Sequence, residues 1–414
     1  MSHKAVIPAA LLFFFCSALL AEDRSDPVPV KVWHTFGAGS MEERLFTRAV
    51  DGFSAEHPGI AVQVVGIPYL QNLQQFINAA QAGVAPDLIR LSDTELGKIG
   101  HITVEGMPLL EDLRAHLTPV QKRTYLPDSL FAMRYGESLY ALPASRSGMT
   151  LLYNADIFDG AGAAYPTDLW RTEDLLRAAK TLTTDEVTGL ALPVRWSYWF
   201  VPFIAASGGR LLDDAGNPAL SSPGTARAME WVLDLARVHG VTGSVNSIEA
   251  MSTRFQTGRA AMVIDGSWNW DRYRESGIRL GQSLLPYDAE TGERLAPMIG
   301  YFGWSVAKQS GVKAAAVKLA RWLTSAAVQR DFAFGTYSLP TLIELMSDPE
   351  ITGHPVLGGF IEQARFGTPT PTTRITAMLF EQLDTALALT YDGSMTAGAA
   401  LEAADRELAK MLKW

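Results

Sequence analysis

Hydrophobic and polar residues alternate near the start of the chain, and the pattern then becomes helical. Residues 29–34 alternate with a period of two, as in a strand with one buried face. After a glycine-containing loop, Ser40 and Glu43 have the spacing of a capping box that begins a helix. Apolar residues then recur at helical spacing over 45–53, and residues 60–65 predict a second strand. The pattern predicts a strand–helix–strand unit.

Strands and helices keep alternating along the rest of the chain. A helix over 73–81 and a strand from Asp87 extend the first unit, which predicts an α/β layer with a mainly parallel sheet. Further helices are predicted from Ser222 to about Gly240, over 314–332 and over 375–412. In open α/β sheets, ligands bind outside the carboxyl ends of the strands. The loops at 33–40 and 91–95 are therefore the first places to look for binding residues.

The length of the chain predicts more than one lobe. Its 414 residues are 48% hydrophobic and 19% charged, which is within or near the globular range. This length exceeds what one compact core usually holds. The sequence contains neither a repeat nor a low-complexity linker. We therefore expect two lobes joined by several chain crossings.

Residues 1–21 have the order of a secretory signal peptide. Lys4 precedes the apolar run 5–15, and small residues follow it. Cleavage after Ala18 and cleavage after Ala21 both fit. The apolar run is shorter than the roughly 20 residues that a membrane-spanning helix needs. We expect a protein exported to the periplasm.

The cysteine content and the net charge limit which covalent links and which binding partners are expected. Either cleavage removes Cys16, the one cysteine, so the exported core would have no disulfide. The three phenylalanines before Cys16 disfavour a lipid anchor. The formal net charge is -9, and an acidic surface disfavours nucleic acid and anionic lipid.

Several sequence blocks, taken in order, resemble extracellular solute-binding proteins of the maltose-binding-protein type, the sugar-binding partners of ABC importers. The blocks are Phe53–Ile60, Gly83–Asp87, Tyr140–Pro143 with Leu152–Asn154, Phe255–Met262 leading into Asp265–Trp268, and Gly303–Val306. The resemblance covers nearly the whole chain after the signal peptide.

The resemblance implies a two-lobed α/β fold, the type II periplasmic binding protein fold, with three hinge crossings. We expect these crossings near 144–148, 258–261 and 307–312. Residues 28–145 plus 261–308 would then form the N-terminal lobe. Residues 146–260 plus 309–414 would form the C-terminal lobe.

The resemblance also implies a function, which is capture of a di- or oligosaccharide by hinge closure and delivery to the permease subunits of an ABC importer. Such a protein is expected to be a monomer without cofactor. One rival ligand is glycerol phosphate or another polyol, and one rival role is sensing through a receptor. A periplasmic glycoside hydrolase is a further alternative, because sequence alone cannot exclude two suitably placed carboxylates.

A sugar site needs flat apolar surfaces and planar polar groups. The aromatic run 196–200 supplies Trp196 and Tyr198, and by resemblance Tyr198 and Trp268 stack on sugar. Glycines flank Tyr301 and Trp304, and a glycine lets a ligand approach the backbone closely. Trp199 and Phe200 fit a core position as well as a cleft position.

Other candidates have competing structural explanations. Asp265 is either a ligand or a turn former, and Trp33 and His34 lie in the first predicted loop, where a lone histidine is more often structural. Arg374 precedes the last helices and is either a ligand or a solvated loop residue.

The polar candidates depart from the family pattern. Asp93 and Thr94 follow the strand that starts at Asp87, and Arg146 and Ser147 lie at the first expected crossing. Thr94 and Glu95 stand where maltose-binding protein has an aspartate and an arginine, and Ser147 replaces a glutamate. We therefore expect the bound sugar to have a different arrangement of hydroxyl groups from that of maltose.

Enzyme and metal motifs are absent from the sequence. The zinc spacing H-E-x-x-H, the nucleophile elbow G-x-S-x-G and the phosphate loop G-x-x-x-x-G-K do not occur. We therefore expect no metal, no cofactor and no catalysis.

Overall fold

The structure is a computed structural model that describes residues 26–412, and the predicted signal peptide lies outside this range. Its strands are β1 (Val28–His34), β2 (Ile60–Gly66), β3 (Leu88–Ser92), β4 (Thr103–Val104), β5 (Met107–Pro108), β6 (Arg134–Tyr135), β7 (Ser138–Leu139), β8 (Leu142–Ser147), β9 (Met149–Asn154), β10 (Thr188–Ala191), β11 (Ala260–Gly266), β12 (Leu280–Ser283), β13 (Met298–Val306) and β14 (Thr368–Pro369).

The helices lie between and after these strands. They are α1 (Met41–Glu56), α2 (Tyr69–Gln81), α3 (Asp93–Ile99), α4 (Pro119–Lys122), α5 (Pro127–Ala132), α6 (Ala155–Gly160), α7 (Thr172–Leu182), α8 (Ser197–Ala206), α9 (Pro223–Arg237), α10 (Ile248–Gln256), α11 (Trp270–Glu275), α12 (Lys313–Leu323), α13 (Ala326–Thr336), α14 (Ile343–Met346), α15 (Pro349–Thr352), α16 (Leu357–Ala364), α17 (Thr376–Tyr391) and α18 (Ala397–Leu412). Two 3-10 turns cover Leu113–His116 and Ser267–Asn269.

The first sheet contains the predicted strand–helix–strand unit. Its strand order is β14-β13-β3-β1-β2, and β8 pairs with β13. Strand β1 is parallel to both β2 and β3, as expected for strands joined by helices. Strand β13 runs antiparallel to β3 and β8, so the sheet is mixed rather than mainly parallel.

The helix after β1 begins as its sequence predicts. The Ser40 hydroxyl accepts a hydrogen bond from the Glu43 N–H at 3.1 Å. The Glu43 carboxylate accepts from the Gly39 N–H at 2.6 Å, one residue before the N-cap. The helix then buries Leu45, Phe46, Val50 and Phe53 against the sheet.

The second sheet has four strands in the order β10-β11-β9-β12. Strand β11 pairs in parallel with β10 and in antiparallel with β9, and all of its residues are buried. We call the parts of the chain built on the first and second sheets the first lobe and the second lobe.

The predicted lobe boundaries are wrong for two segments. Residues 261–308 were expected in the N-terminal lobe, yet β11 and β12 both pair with β9 in the second sheet. Only β13, at the end of that segment, belongs to the first sheet. The cause is hydrogen bonding over more than a hundred residues of sequence, which no local pattern carries.

The segment after β13 also departs from the prediction. Residues 309–414 were expected in the C-terminal lobe, but α12 and α13 pack against α1 of the first lobe. Helix α16 packs against β9, and α18 packs against α9, both in the second lobe. Helix α17 contacts α8 and α9 but also α3, so it touches both lobes.

The chain passes between the lobes at three places up to α16. The first is Gly148, inside the predicted segment 144–148, between β8 and β9. The second is 284–297, between β12 and β13, and the third lies between α13 and α16. The predicted crossings at 258–261 and 307–312 are wrong, because each lies within one lobe. Over residues 26–412, no helix has the length and apolar character to cross a membrane.

Candidate ligand-binding site

A cavity of about 840 Å³ lies between the two lobes. First-lobe residues from β3, β8, β13 and the loop before α1 form one wall. Trp196, Tyr198 and Trp268 contribute from the second lobe, and α17 adds Phe380 and Asp384. The cavity therefore collects residues that are far apart in sequence, at the carboxyl end of β3, as expected for an α/β sheet.

The structure brings eight of the thirteen predicted binding residues to this cavity. They are Asp93, Thr94, Arg146, Ser147, Trp196, Tyr198, Trp268 and Trp304. The other five do not line it, namely Trp33, His34, Asp265, Tyr301 and Arg374.

Aromatic side chains of the second lobe form its wall of the cavity. The rings of Tyr198 and Trp268 lie with centroids 6.4 Å apart in an edge-on arrangement. Trp268 is 41% exposed and follows Gly266, where a Cβ atom would come within 2.0 Å of the indole. Trp196 donates its indole N–H to the Asn246 carbonyl at 3.2 Å. These rings offer apolar faces to the cavity.

Asp265 shapes the turn that presents Trp268. Its buried carboxylate accepts hydrogen bonds from the Gly266 N–H, the Asn269 amide and the Tyr273 hydroxyl. Burial raises the pKa of Asp265, and these bonds oppose that effect. Of its two proposed roles, the structure supports turn former.

The first-lobe wall is also aromatic but more tightly packed. Trp304 is 2% exposed and stacks on Phe46 with ring centroids 5.3 Å apart. The Arg90 guanidinium lies over the rings of Phe36 and Phe302, with its central carbon 4.4 and 3.9 Å from their centres. Trp304 therefore forms part of the packed surface of the cavity, and its ring does not project into the cavity.

The start of α3 supplies polar groups to the cavity. Asp93 accepts hydrogen bonds from the Thr94 N–H at 2.7 Å and the Tyr301 N–H at 3.2 Å. Burial nevertheless raises the pKa of Asp93 to about 7. Its carboxyl group can therefore change charge near neutral pH.

Glu95 does not line the cavity. Its carboxylate completes the capping box with Ser92 and accepts from the Asn72 amide at 3.2 Å. Ser92 in turn shares hydrogen bonds with the hydroxyls of Tyr69 and Thr94, which line the cavity. Through Ser92, Glu95 thus orients the hydroxyl groups of Tyr69 and Thr94 without lining the cavity itself.

Arg146 reaches the cavity with its charge already balanced. Its guanidinium lies 3.5 Å from the Asp128 carboxylate and donates to the Pro340 carbonyl at 3.1 Å. Ser147 is next to Gly148 at the first crossing. An anionic ligand would have to compete with Asp128 for Arg146.

The remaining predicted residues have structural roles. The imidazole of His34 is buried against Phe36 and Phe46, and burial lowers its pKa. Trp33, on the same strand, packs against the core. The Tyr301 hydroxyl donates to the Asp128 carboxylate at 2.9 Å. The Arg374 guanidinium donates to the Leu412 carbonyl.

Sequence reasoning missed several cavity residues. They include Glu42, Tyr69, Arg90, Phe302 and Asp384. Strand alternation was a signal for Phe302 and Arg90. Phe302 shares one face of β13 with Gly300 and Trp304, and Arg90 shares one face of β3 with Ser92. The same alternation turns Tyr301 to the opposite face. Glu42, Tyr69 and Asp384 carried no local signal.

A family model described as bacterial extracellular solute-binding protein matches residues 48–357. The chain belongs to this family. Among the described residues, no group of three His, Cys, Asp or Glu side chains could hold a metal ion.

Two curated relatives of this solute-binding protein have named ligands. The galactooligosaccharide-binding protein of Bacillus subtilis strain 168 is 25% identical over 367 residues, covering 86% of this chain and 84% of the relative. The maltotriose-binding protein of Pyrococcus abyssi is 25% identical over 340 residues, covering 80% and 70%.

Solved structures show that the fold is that of two-lobed maltose-binding proteins. The maltose/maltodextrin-binding domain of Bdellovibrio bacteriovorus, bound to maltotriose, has a TM-score of 0.80 at 24% identity and covers 94% of this chain and 100% of its own. The maltotriose-binding protein of Thermus thermophilus, also bound to maltotriose, has a TM-score of 0.78 at 22% identity, with 92% and 100% covered.

Proposed function

We propose that this solute-binding protein captures a di- or oligosaccharide between its lobes and delivers it to the permease subunits of an ABC importer. The supporting observation is the cavity that combines Tyr198 and Trp268 of the second lobe with Phe302 and Arg90 of the first. Sugar recognition needs this mixture of apolar faces and planar polar groups. The cavity volume of about 840 Å³ suits more than one sugar unit.

The named ligands of the relatives support the same proposal. The two curated relatives bind galactooligosaccharide and maltotriose, and the two solved structures hold maltotriose. A phosphorylated polyol fits less well. Of the two arginines that favoured it, Arg146 is balanced by Asp128, and Arg374 lies outside the cavity.

The proposed cellular role is that of an exported binding component without catalysis. Residues 1–21 would direct export to a periplasm and be removed, and the protein would act as a monomer. N-terminal sequencing of the periplasmic fraction tests the export. A mature chain that starts at Met1 would contradict it.

A thermal-shift screen tests the ligand class. The panel holds maltotriose, β-1,4-galactotriose, disaccharides, monosaccharides, polyols and glycerol 3-phosphate. A ligand that binds only the folded state stabilises it by about 2.7 kcal/mol at one hundred times its Kd. We expect a rise in Tm with neutral oligosaccharides. A rise in Tm with glycerol 3-phosphate alone would contradict the sugar proposal and indicate a phosphorylated ligand.

Chromatography of the sugar that gives the rise, after overnight incubation with the protein, tests catalysis. We expect the sugar to be recovered intact. Cleavage products that depend on the protein would restore the glycoside hydrolase hypothesis.

A further inference from the structure

Six apolar side chains of the first lobe line one part of the cavity together. They come from the loop before α1, from α1, from β13 and from the helices α12 and α13, and they are Phe36, Phe46, Trp304, Leu323, Val328 and Phe332. Aromatic contacts join four of them. The Phe46 ring lies 5.5 Å from Phe36 and 5.3 Å from Trp304 between centroids, and Phe36 lies 5.6 Å from Phe332. We call these six side chains the apolar cluster.

The strand register of the first sheet separates the apolar cluster from the polar part of the cavity. Strand β13 places Trp304 opposite Arg90, in the middle of β3. Gly300, four residues earlier on β13, lies opposite Ser147, where β8 ends and the chain crosses to the second lobe. The cavity therefore runs from polar groups beside the crossing to the apolar cluster around Trp304.

Polar side chains of α13 that line the same part of the cavity are already held by the protein. The Gln329 amide accepts from the Thr341 N–H at 2.8 Å and donates to the Thr324 carbonyl at 2.9 Å. The Thr336 hydroxyl donates to the Phe332 carbonyl at 2.8 Å. A sugar ring placed against the cluster would give up hydrogen bonds to water and find few free partners, which costs free energy.

Two charged side chains border the apolar cluster. Glu42 lies one helical turn before Phe46 on α1, and both residues line the cavity. The Arg90 guanidinium lies over the Phe36 ring and donates to the Thr35 hydroxyl at 2.8 Å. The cluster is thus continuous with polar groups that suit a sugar, and a ligand that fills both parts must be polar at one end and apolar at the other.

We propose that the apolar cluster is a subsite for a hydrophobic aglycone, the aryl or alkyl group carried by the sugar of a glycoside. A hydrocarbon group in this part of the cavity would leave water and contact the rings of Phe36, Phe46 and Phe332. It has no hydroxyl that would need a partner there. This inference rests on the proposed function and adds an apolar group to the chemistry of the ligand.

The test compares glycosides that differ only in the aglycone. The probes are methyl and phenyl α-maltoside, and the methyl and phenyl β-glycosides of β-1,4-galactobiose. Isothermal titration calorimetry gives the Kd values for the wild type, for Phe332→Ala, which removes a ring of the cluster, and for Val328→Phe, which fills the space beside it. Phe334→Ala and Ala327→Phe are the controls, because they remove or introduce the same ring at exposed positions of α13 outside the cavity.

We expect the wild type to bind at least one phenyl glycoside at least tenfold more tightly than the methyl glycoside of the same sugar, because the phenyl ring buries more apolar surface. Phe332→Ala and Val328→Phe should each reduce this preference by about threefold or more, and the two controls should keep it. A variant that only disturbs the fold or the closure of the lobes weakens both glycosides of a pair and leaves their ratio unchanged. The ratio therefore reports on the subsite itself.

Failure of this inference and failure of the proposed function give different results. If no probe and no sugar of the thermal-shift panel binds the wild type, the proposed function fails. If methyl glycosides bind and the phenyl group brings no preference, only the aglycone subsite is overturned. A preference that survives in both cavity variants would also overturn it, because the ring would then bind elsewhere in the cavity. Val328→Phe carries the test alone if Phe332→Ala does not fold.

Discussion

Two tryptophans on the cavity wall differ in what they can offer a ligand. Trp304 is almost fully buried and stacked on Phe46, so its packing supports the first lobe. Trp268 stands at a turn with much of its ring exposed beside Tyr198. Truncating a buried aromatic costs about 3–5 kcal/mol, whereas an exposed ring contributes little to stability. The two positions should therefore separate binding from folding.

Trp268→Ala should weaken sugar binding at least tenfold, because an apolar face of the cavity is lost. The free energy of unfolding should change by less than about 1 kcal/mol. Calorimetric titration and thermal unfolding measure the two effects. Phe131→Ala, at an exposed position outside the cavity, is the control. Unchanged sugar affinity in Trp268→Ala would remove Trp268 from the site.

Asp93 should make stability depend on pH. Burial raises its pKa from 3.8 to about 7, so the folded state holds a proton that the unfolded state releases. This contribution to stability is fully present below about pH 4 and is lost as the pH rises through about 7, at most about 4 kcal/mol. Asp93→Asn removes this titration. The stability of Asp93→Asn relative to the wild type should therefore increase from pH 5 to pH 8.

Thermal unfolding of both proteins at pH 5, 6, 7 and 8 measures this difference. Groups common to both proteins cancel, and the constant cost of replacing one carboxylate oxygen by an amide does not vary with pH. A difference that stays flat across this range would show that Asp93 is ionised throughout.

The turn after β11 is the element that presents Trp268. The strand ends at Gly266, and a 3-10 turn over Ser267–Asn269 follows, held by the buried carboxylate of Asp265. The indole lies directly over Gly266, where a side chain would collide with it. The lack of a side chain at Gly266 therefore fixes the position of the indole.

Gly266→Ala should displace the Trp268 ring, since the new Cβ would lie within 2.0 Å of it. We expect a sugar affinity reduced about tenfold or more, with a smaller effect on Tm because the exposed ring can rotate away. Titration and thermal unfolding test this, with Gly59→Ala, where a Cβ would meet nothing within 4 Å, as the control. Equal Kd values for Gly266→Ala and the wild type would contradict it.

The helices show which features local sequence patterns predict and which they miss. The N-cap of α9 at Ser222, with proline at the first helical position, lies where the sequence predicts it. The helix predicted over 314–332 is two helices, because the chain breaks at Thr324 and Ser325. The Thr324 hydroxyl is buried against the Tyr125 hydroxyl at 2.8 Å, and the Gln329 amide donates to the Thr324 carbonyl. Helical periodicity cannot predict this break, because it carries no information about a contact with the distant Tyr125.

At the scale of the whole molecule, the cavity lies between lobes that the chain joins through several segments. The segment 284–297 is anchored by Arg294, which donates to the Leu285 and Asp168 carbonyls at 2.6 and 2.7 Å. Its guanidinium also lies 4.0 Å from the centre of the Tyr287 ring. In hinge closure, two rigid lobes rotate while the connecting segments absorb the change in backbone angles.

Ligand binding should close the lobes and make the molecule more compact. Small-angle X-ray scattering with and without the sugar that gives a thermal shift should show a smaller radius of gyration for the complex. Trp268→Ala at the same sugar concentration is the control, because its weaker binding should leave more of the protein unliganded and so give a smaller change. An identical scattering curve with saturating sugar would contradict hinge closure.

The sequence by itself determined the α/β class, the first strand–helix–strand unit and the family, because alternation, capping residues and ordered sequence blocks are local signals. Alternation decides which side chains of one strand share a face, but the structure decided which face meets the cavity: the sequence analysis chose Tyr301, and Phe302 lines the cavity instead. Only the tertiary structure decided the sheet to which β11 belongs, the lobe that holds α12, and which distant residues meet at the cavity. Each depends on contacts between distant segments, whose packing and hydrogen-bond energies are set by the assembled fold rather than by neighbouring residues.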